Sequence, residues 1–325
     1  MERVVTKEEV EVIYMNENVN IVFVLQGLND SATNRQIYFA IALMSYLVTI
    51  LVNLILILTV CLDKALHQPM YIFMCNLCFT GLCGASSFYL DLLQDFLADA
   101  HLITYTGCLT QMFFTHIYIF CQFTGLTVMA YDRYLAICQP LRYWALMTGK
   151  KVALLLLLTW CLSLLETAVG ILLISRLSFC SHHIARIFCT NWEVVKLSCS
   201  DTTANNLYGI VVIILQTMQI MIILVSYMHL VRSAARSRTD RRKFVQTCFP
   251  HLTSLLVFSF SVLFDPFYYR YGGSSMAALQ NALSAEFLVV PPIVNPIIYG
   301  MNLRQIRTRI RLWFTTVNPQ RSLSK

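Results

Sequence analysis

Asp132 and Arg133 stand side by side in the stretch MAYDRYLAIC, residues 129–138, next to long apolar runs. An ionised pair in such surroundings is costly unless its members compensate each other or reach water. The chemistry it offers is switching: separating the pair frees a guanidinium to donate hydrogen bonds elsewhere. Two more acids, Glu166 and Glu286, fall inside apolar runs. Each reads either as a functional carboxylate or as a protonated, hydrogen-bonded structural group. Arg270 ends another run, where it either recognises an anionic small molecule or caps a helix near lipid headgroups. His116 reads either as a ligand contact or as a structural hydrogen-bonder. Four cysteines, Cys108, Cys180, Cys189 and Cys199, gather around one polar connection. An even set of four allows two disulfides in three alternative pairings. Bond-making chemistry is not indicated. There is no glycine-rich phosphate loop and no metal-spaced His/Cys set, so neither cofactor nor metal is expected. The lysines, at 7, 64, 150, 151, 196, 243 and 325, all fall outside the apolar runs, which excludes a retinal Schiff base.

The apolar runs must position these side chains. Of the 325 residues, 57% are hydrophobic and 13% charged, against about a quarter charged in soluble domains. Seven runs, about 37–60, 70–93, 109–135, 152–174, 207–230, 249–269 and 277–299, each match the roughly 20 residues that a helix needs to cross a bilayer. They are continuously apolar rather than alternating, so the expected fold is an all-α membrane protein, a seven-transmembrane helix bundle. An outer segment, 1–36, carries the sequon Asn29-Asp30-Ser31, a candidate glycosylation site. It shows no signal peptide, so the first run serves as its own insertion signal. The bundle spans 37–300. The remainder, 301–325, begins MNLRQIRTRIRLWF, in which Leu303, Ile306, Ile310 and Trp313 recur at helical steps between arginines. That pattern predicts a short amphipathic helix on the membrane face, followed by a tail.

Charge sets the orientation. One side of the bundle holds 17 of the 24 Lys+Arg but only Asp63, Asp132 and Asp240 among the 17 Asp+Glu. The positive side is expected to be cytoplasmic, with the N-terminus outside. The net charge of +7 is therefore a matter of topology, and no nucleic-acid partner is expected. The four cysteines then share the oxidising side, where two bridges would pin the long loop at about 175–206.

Several motifs follow one another in a fixed order: FVLQGL (23–28), LHQPMYIFMCNL (66–77), MAYDRYLAICQPLRY (129–143), SY (226–227), KFVQTCFPHL (243–252) and PPIVNPIIYG (291–300), with KLSCSD (196–201) closing the long loop. In this order the chain resembles, over its whole length, a rhodopsin-like G-protein-coupled receptor, and specifically an odorant receptor. The resemblance implies a small-molecule odorant as ligand and a stimulatory, olfactory-type G protein that raises cyclic AMP, in the plasma membrane of sensory cilia. Asp132, Arg133 and Tyr134 would form the coupling motif, with Arg133 held by Asp132 at rest. Tyr227 and Tyr299 would support the active geometry, and Asn295-Pro296 would act as a polar hinge. The disulfides implied are Cys108–Cys189 and Cys180–Cys199. The ligand pocket would use Thr115, His116, Ile119 and Phe120 on the third span. Tyr208 and Val211 on the fifth would join them, with Ser259, Val262 and Leu263 on the sixth and further candidates in Glu166 and Arg270.

One departure stands out. Relatives of this kind carry acids, able to hold sodium, where this chain has Gly81 and Gln122. A cation without a carboxylate is poorly compensated in a low-dielectric interior. A transporter or channel would show paired broken helices, inverted repeats or a charged pore, and none is visible. A chemosensory receptor outside the nose is the alternative within the class.

Overall fold

The computed structural model describes residues 21–25, 32–98, 101–234, 252–260, 262, 277–302 and 305–310. In chain order its helices are α1 (Ala32–Leu62), α2 (Pro69–Leu97), α3 (Tyr105–Cys138), α4 (Tyr143–Leu146), α5 (Gly149–Ile174), α6 (Asn191–Lys196), α7 (Thr203–Ala234), α8 (252–260), α9 (Ala277–Asn302) and α10 (305–310). Five of them, α1, α2, α3, α5 and α7, are long and apolar enough to cross a membrane, and α9 adds the shorter apolar stretch Ala285–Gly300. The sixth expected run is represented by α8. Local signals set the ends. Pro69 opens α2, where a missing N–H costs nothing. The Thr104 hydroxyl caps α3 by accepting from the Gly107 amide at 3.1 Å.

The bundle is built around α3. In its most apolar stretch 67% of residues are buried, against 11% for α7. The outward faces of α1, α5 and α7 expose Leu, Ile and Met in rows, among them Leu51, Leu165 and Met221. Lipid is the solvent that makes such faces stable.

Three prolines, Pro291, Pro292 and Pro296, lie inside α9. Each lacks the N–H that would bond the carbonyl four residues earlier. Pro291 thus strands the Phe287 carbonyl, and Pro296 strands that of Pro292. Other helices supply the missing donors. The buried Tyr118 hydroxyl donates to the Phe287 oxygen at 3.0 Å, and Asn53 Nδ2 donates to the Pro292 oxygen at 2.7 Å. Gly84 makes room for the first bond, since a Cβ there would fall 2.5 Å from Tyr118 Cγ. Tyr118→Phe should therefore cost about 1–3 kcal/mol by leaving a buried carbonyl unbonded. Thermal unfolding in detergent measures it, and unchanged stability would mean that Phe287 finds another donor.

A small sheet closes one end of the bundle. Strand β1 (Val22–Leu25) runs antiparallel to β2 (Leu102–Thr104) and parallel to β3 (His183–Ile184). Phe23 is fully buried beneath it, edge-on to Phe179. Cys108 is bridged to Cys189 and Cys180 to Cys199, each with Cα atoms 5.5 Å apart. These strands are an addition to the all-helical expectation. At the opposite end, α10 packs back on the bundle: Ile306 is fully buried, Tyr71 donates to Gln305 Oε1 at 2.8 Å, and Arg309 Nε meets Asp63 Oδ2 at 2.7 Å. The exposed Arg307 and Arg309 complete an amphipathic helix. Leu303 and Trp313 lie outside the described residues.

Candidate functional site

Beneath the sheet lies a cavity of about 220 Å³ between α3 and α7. It falls below the roughly 300–1,000 Å³ of drug-sized sites, so it suits a small molecule. Of the sequence candidates, Thr115, His116, Ile119, Phe120, Tyr208 and Val262 line it. Val211 requires a correction: it is 45% exposed on the outward face of α7, and Val212 and Ile213 take the wall. Ser259 is buried but does not line the cavity, which corrects the expectation for it. Leu263 and Arg270 lie outside the described residues, as does Asn29.

Glu166 acts from behind the wall. Its carboxylate accepts from Gln216 Nε2 at 3.2 Å, and its backbone oxygen accepts from the Tyr208 hydroxyl at 2.7 Å. Tyr208 packs on Gly170, where a Cβ would lie 2.9 Å from its hydroxyl. Glu286 is partly buried and engaged, and the adjoining Phe287 lines the cavity. The roof comes from the loop residues Arg186, Phe188 and Thr190, together with Asn191, Trp192 and Glu193 of α6. None of these was a sequence candidate. The signal for them was Cys189, because a bridge to the end of α3 carries its neighbours over the mouth. Gln111 reinforces that seat. Its Oε1 accepts from the Cys189 amide at 2.7 Å, while its Nε2 donates to Asp91 at 2.7 Å.

At the far end of α3, Asp132 is fully buried. It accepts from Arg133 Nη2 at 2.7 Å and from the Tyr143 hydroxyl of α4, also at 2.7 Å. Burial first, and then the Asp132 carboxylate, push the Tyr143 phenol above its ordinary pKa, so it stays a donor at physiological pH. Tyr134 is partly buried beside this pair. Tyr227 and Tyr299 are buried in the main core, and buried Asn295, just before Pro296, accepts from Ser254 Oγ at 2.7 Å. These groups form a polar layer around the end of the bundle that holds α10.

At the sodium position Gly81 and Gln122 supply no carboxylate. Gln122 Nε2 donates to the Leu77 carbonyl at 2.9 Å, and a Cβ on Gly81 would meet Pro292 and the Gln122 amide at ordinary contact distances of 3.7 and 3.9 Å. Among the described residues no cluster of three His, Cys, Asp or Glu could hold a metal.

Known proteins resemble this arrangement in sequence. Residues 41–316 match the family model described as olfactory receptor. The Rattus norvegicus protein named olfactory receptor 1500 is 37% identical over 300 residues, covering 90% of this chain and 94% of the rat protein. The Canis lupus familiaris olfactory receptor-like protein OLF4 is 35% identical over 296 residues, covering 90% and 95%. The chain therefore belongs to the olfactory receptor family, whose members are seven-helix membrane receptors and not enzymes.

Proposed function

We propose that this receptor binds small odorants in the cavity between α3 and α7 and activates a stimulatory, olfactory-type G protein, raising cyclic AMP. The observation that carries this reading is the double role of α3. One end of it lines a roofed, mostly apolar cavity. The other end holds Arg133 in the embrace of buried Asp132. His116 and Arg133 are separated by about 25 Å at 1.5 Å per residue, so ligand-driven displacement of α3 or its neighbours would be felt at the pair. The basic loops support a cytoplasmic face at the Arg133 end, with the sheet and disulfides outside, in the plasma membrane and by resemblance in sensory cilia. Asn29 is the proposed glycan acceptor, and α10 the segment that meets the lipid surface.

The test is a reporter screen. Cells carrying the receptor and a cyclic-AMP reporter are exposed to a chemically diverse odorant panel, with and without the stimulatory α subunit. At least one odorant should raise cyclic AMP, and the response should vanish without that subunit. A response that persists without it, or an ion current independent of any G protein, would sink the proposal.

A further inference from the structure

Two hydrogen-bond acceptors on the cavity wall lack a donor among the described residues. His116 Nδ1 lies 2.7 Å from the Met112 carbonyl oxygen. A carbonyl only accepts, so the proton is on Nδ1. In a neutral imidazole Nε2 is then an acceptor, and it has no hydrogen-bond partner among the described residues. Gln216 is held in the same sense. Its Nε2 faces the Glu166 carboxylate, which fixes the amide's orientation, and its Oε1 is left buried with no partner on a residue that is 3% exposed and lines the cavity. Ile119, Phe120, Val212 and Ile213 supply an apolar wall, while the Thr115 hydroxyl lies 3.5 Å from Ser87 Oγ and Thr190 offers both senses. Tyr208, a potential donor, has spent its hydroxyl on Glu166. At the roof Arg186 is engaged elsewhere but its Nη1 is buried with no hydrogen-bond partner among the described residues, so it offers one donor, and Glu193 accepts from Lys196 at 3.2 Å. Asn191 and Asn205 offer both senses and do not discriminate.

Resting on the odorant-receptor reading above, we propose that the cavity selects hydrogen-bond-donating odorants, small alcohols and phenols, over acceptor-only molecules of the same shape. The hydroxyl donates to Gln216 Oε1, with His116 Nε2 as the second acceptor, and the hydrocarbon body lies on Ile119, Phe120 and Val212. An ether, aldehyde or ester can accept from Arg186 at the roof but leaves Gln216 Oε1 unbonded, whereas a hydroxyl serves both. Sites built to bond a hydroxyl reject analogues that lack one more strongly than apolar pockets reject a change of size.

The experiment uses matched pairs: linear, terpenoid and phenolic alcohols, each with its O-methyl ether. Binding is read as ligand-induced thermal stabilisation of the full receptor in nanodiscs, and signalling as cyclic AMP in cells at matched surface density. For pairs that bind, the alcohol should be roughly 10-fold or more the tighter. Gln216→Met keeps the side-chain length but removes the acceptor, and should reduce the preference to about threefold or less. His116→Phe tests the second acceptor independently should Gln216→Met fail to reach the surface. Ethers that match their alcohols, or a preference that survives both substitutions, overturn the proposal. So does binding confined to acceptor-only odorants. Alcohols that bind selectively without raising cyclic AMP support it and sink the signalling reading instead. Equal signalling by both members of each pair does the reverse.

Discussion

Arg133→Ala reduces odorant-driven cyclic-AMP production roughly 10-fold or more when compared with the parent at matched surface density. Arg133 Nη2 and the Tyr143 hydroxyl both donate to the buried Asp132 carboxylate. Once that carboxylate releases it, Arg133, the one arginine within α3, offers a planar fork suited to carbonyl oxygens at a helix terminus. Losing the contact should reduce signalling by roughly 10-fold or more, the equivalent of about 1.4 kcal/mol at the G-protein interface. The substitution also strands Asp132, and breaking a buried pair costs about 3–5 kcal/mol. Asp132→Asn combined with Arg133→Ala removes the stranded charge, so the double variant separates coupling from folding. Reporter output normalised to surface labelling decides the matter. Undiminished signalling at equal surface density would end the coupling role.

Cys108→Ser and Cys189→Ser should each cost about 2–5 kcal/mol and most of the surface expression. The bridge joins residues 81 apart, and closing a longer loop removes more freedom from the unfolded chain. Both half-cystines are essentially inaccessible, so serine hydroxyls would be buried as well. The loop they anchor forms the cavity roof and carries β3. The pair Cys180–Cys199 closes only 19 residues, so its removal should cost less and leave the roof seated. Flow cytometry of surface receptor and the melting temperature in detergent read both effects. Normal surface levels and unchanged melting in Cys108→Ser would show that Gln111 and the sheet hold the loop without the bridge.

The membrane runs were legible because lipid demands continuous apolar helices. The helix ends were less so. The run at 207–230 grew into Thr203–Ala234, since Asn205 and Asn206 stay helical beyond the apolar stretch. On α3 the residue choices lined the cavity, because its buried faces alternate with the lipid face. On α7 Val211 was chosen where Val212 and Ile213 face inward. That helix is apolar all round, and a helix without a stripe does not announce which side goes in. Gln216 was missed for a related reason: a neutral amide in an apolar run attracts no attention until its partner, Glu166, is seen across the interface. The sheet was illegible because each strand is too short to show alternation, and β1 finds its partners far away in sequence.

That distance has a consequence for how the receptor is made. Val24 pairs with His183, so β1 emerges from the ribosome long before one of its two neighbours. At about 5–20 residues per second the wait is roughly 10–30 s. During it the strand and Phe23 are exposed to whatever attends the nascent chain. Only after four spans have been synthesised can the sheet close. Until β3 arrives, β1 has only β2 beside it and its other edge stands open.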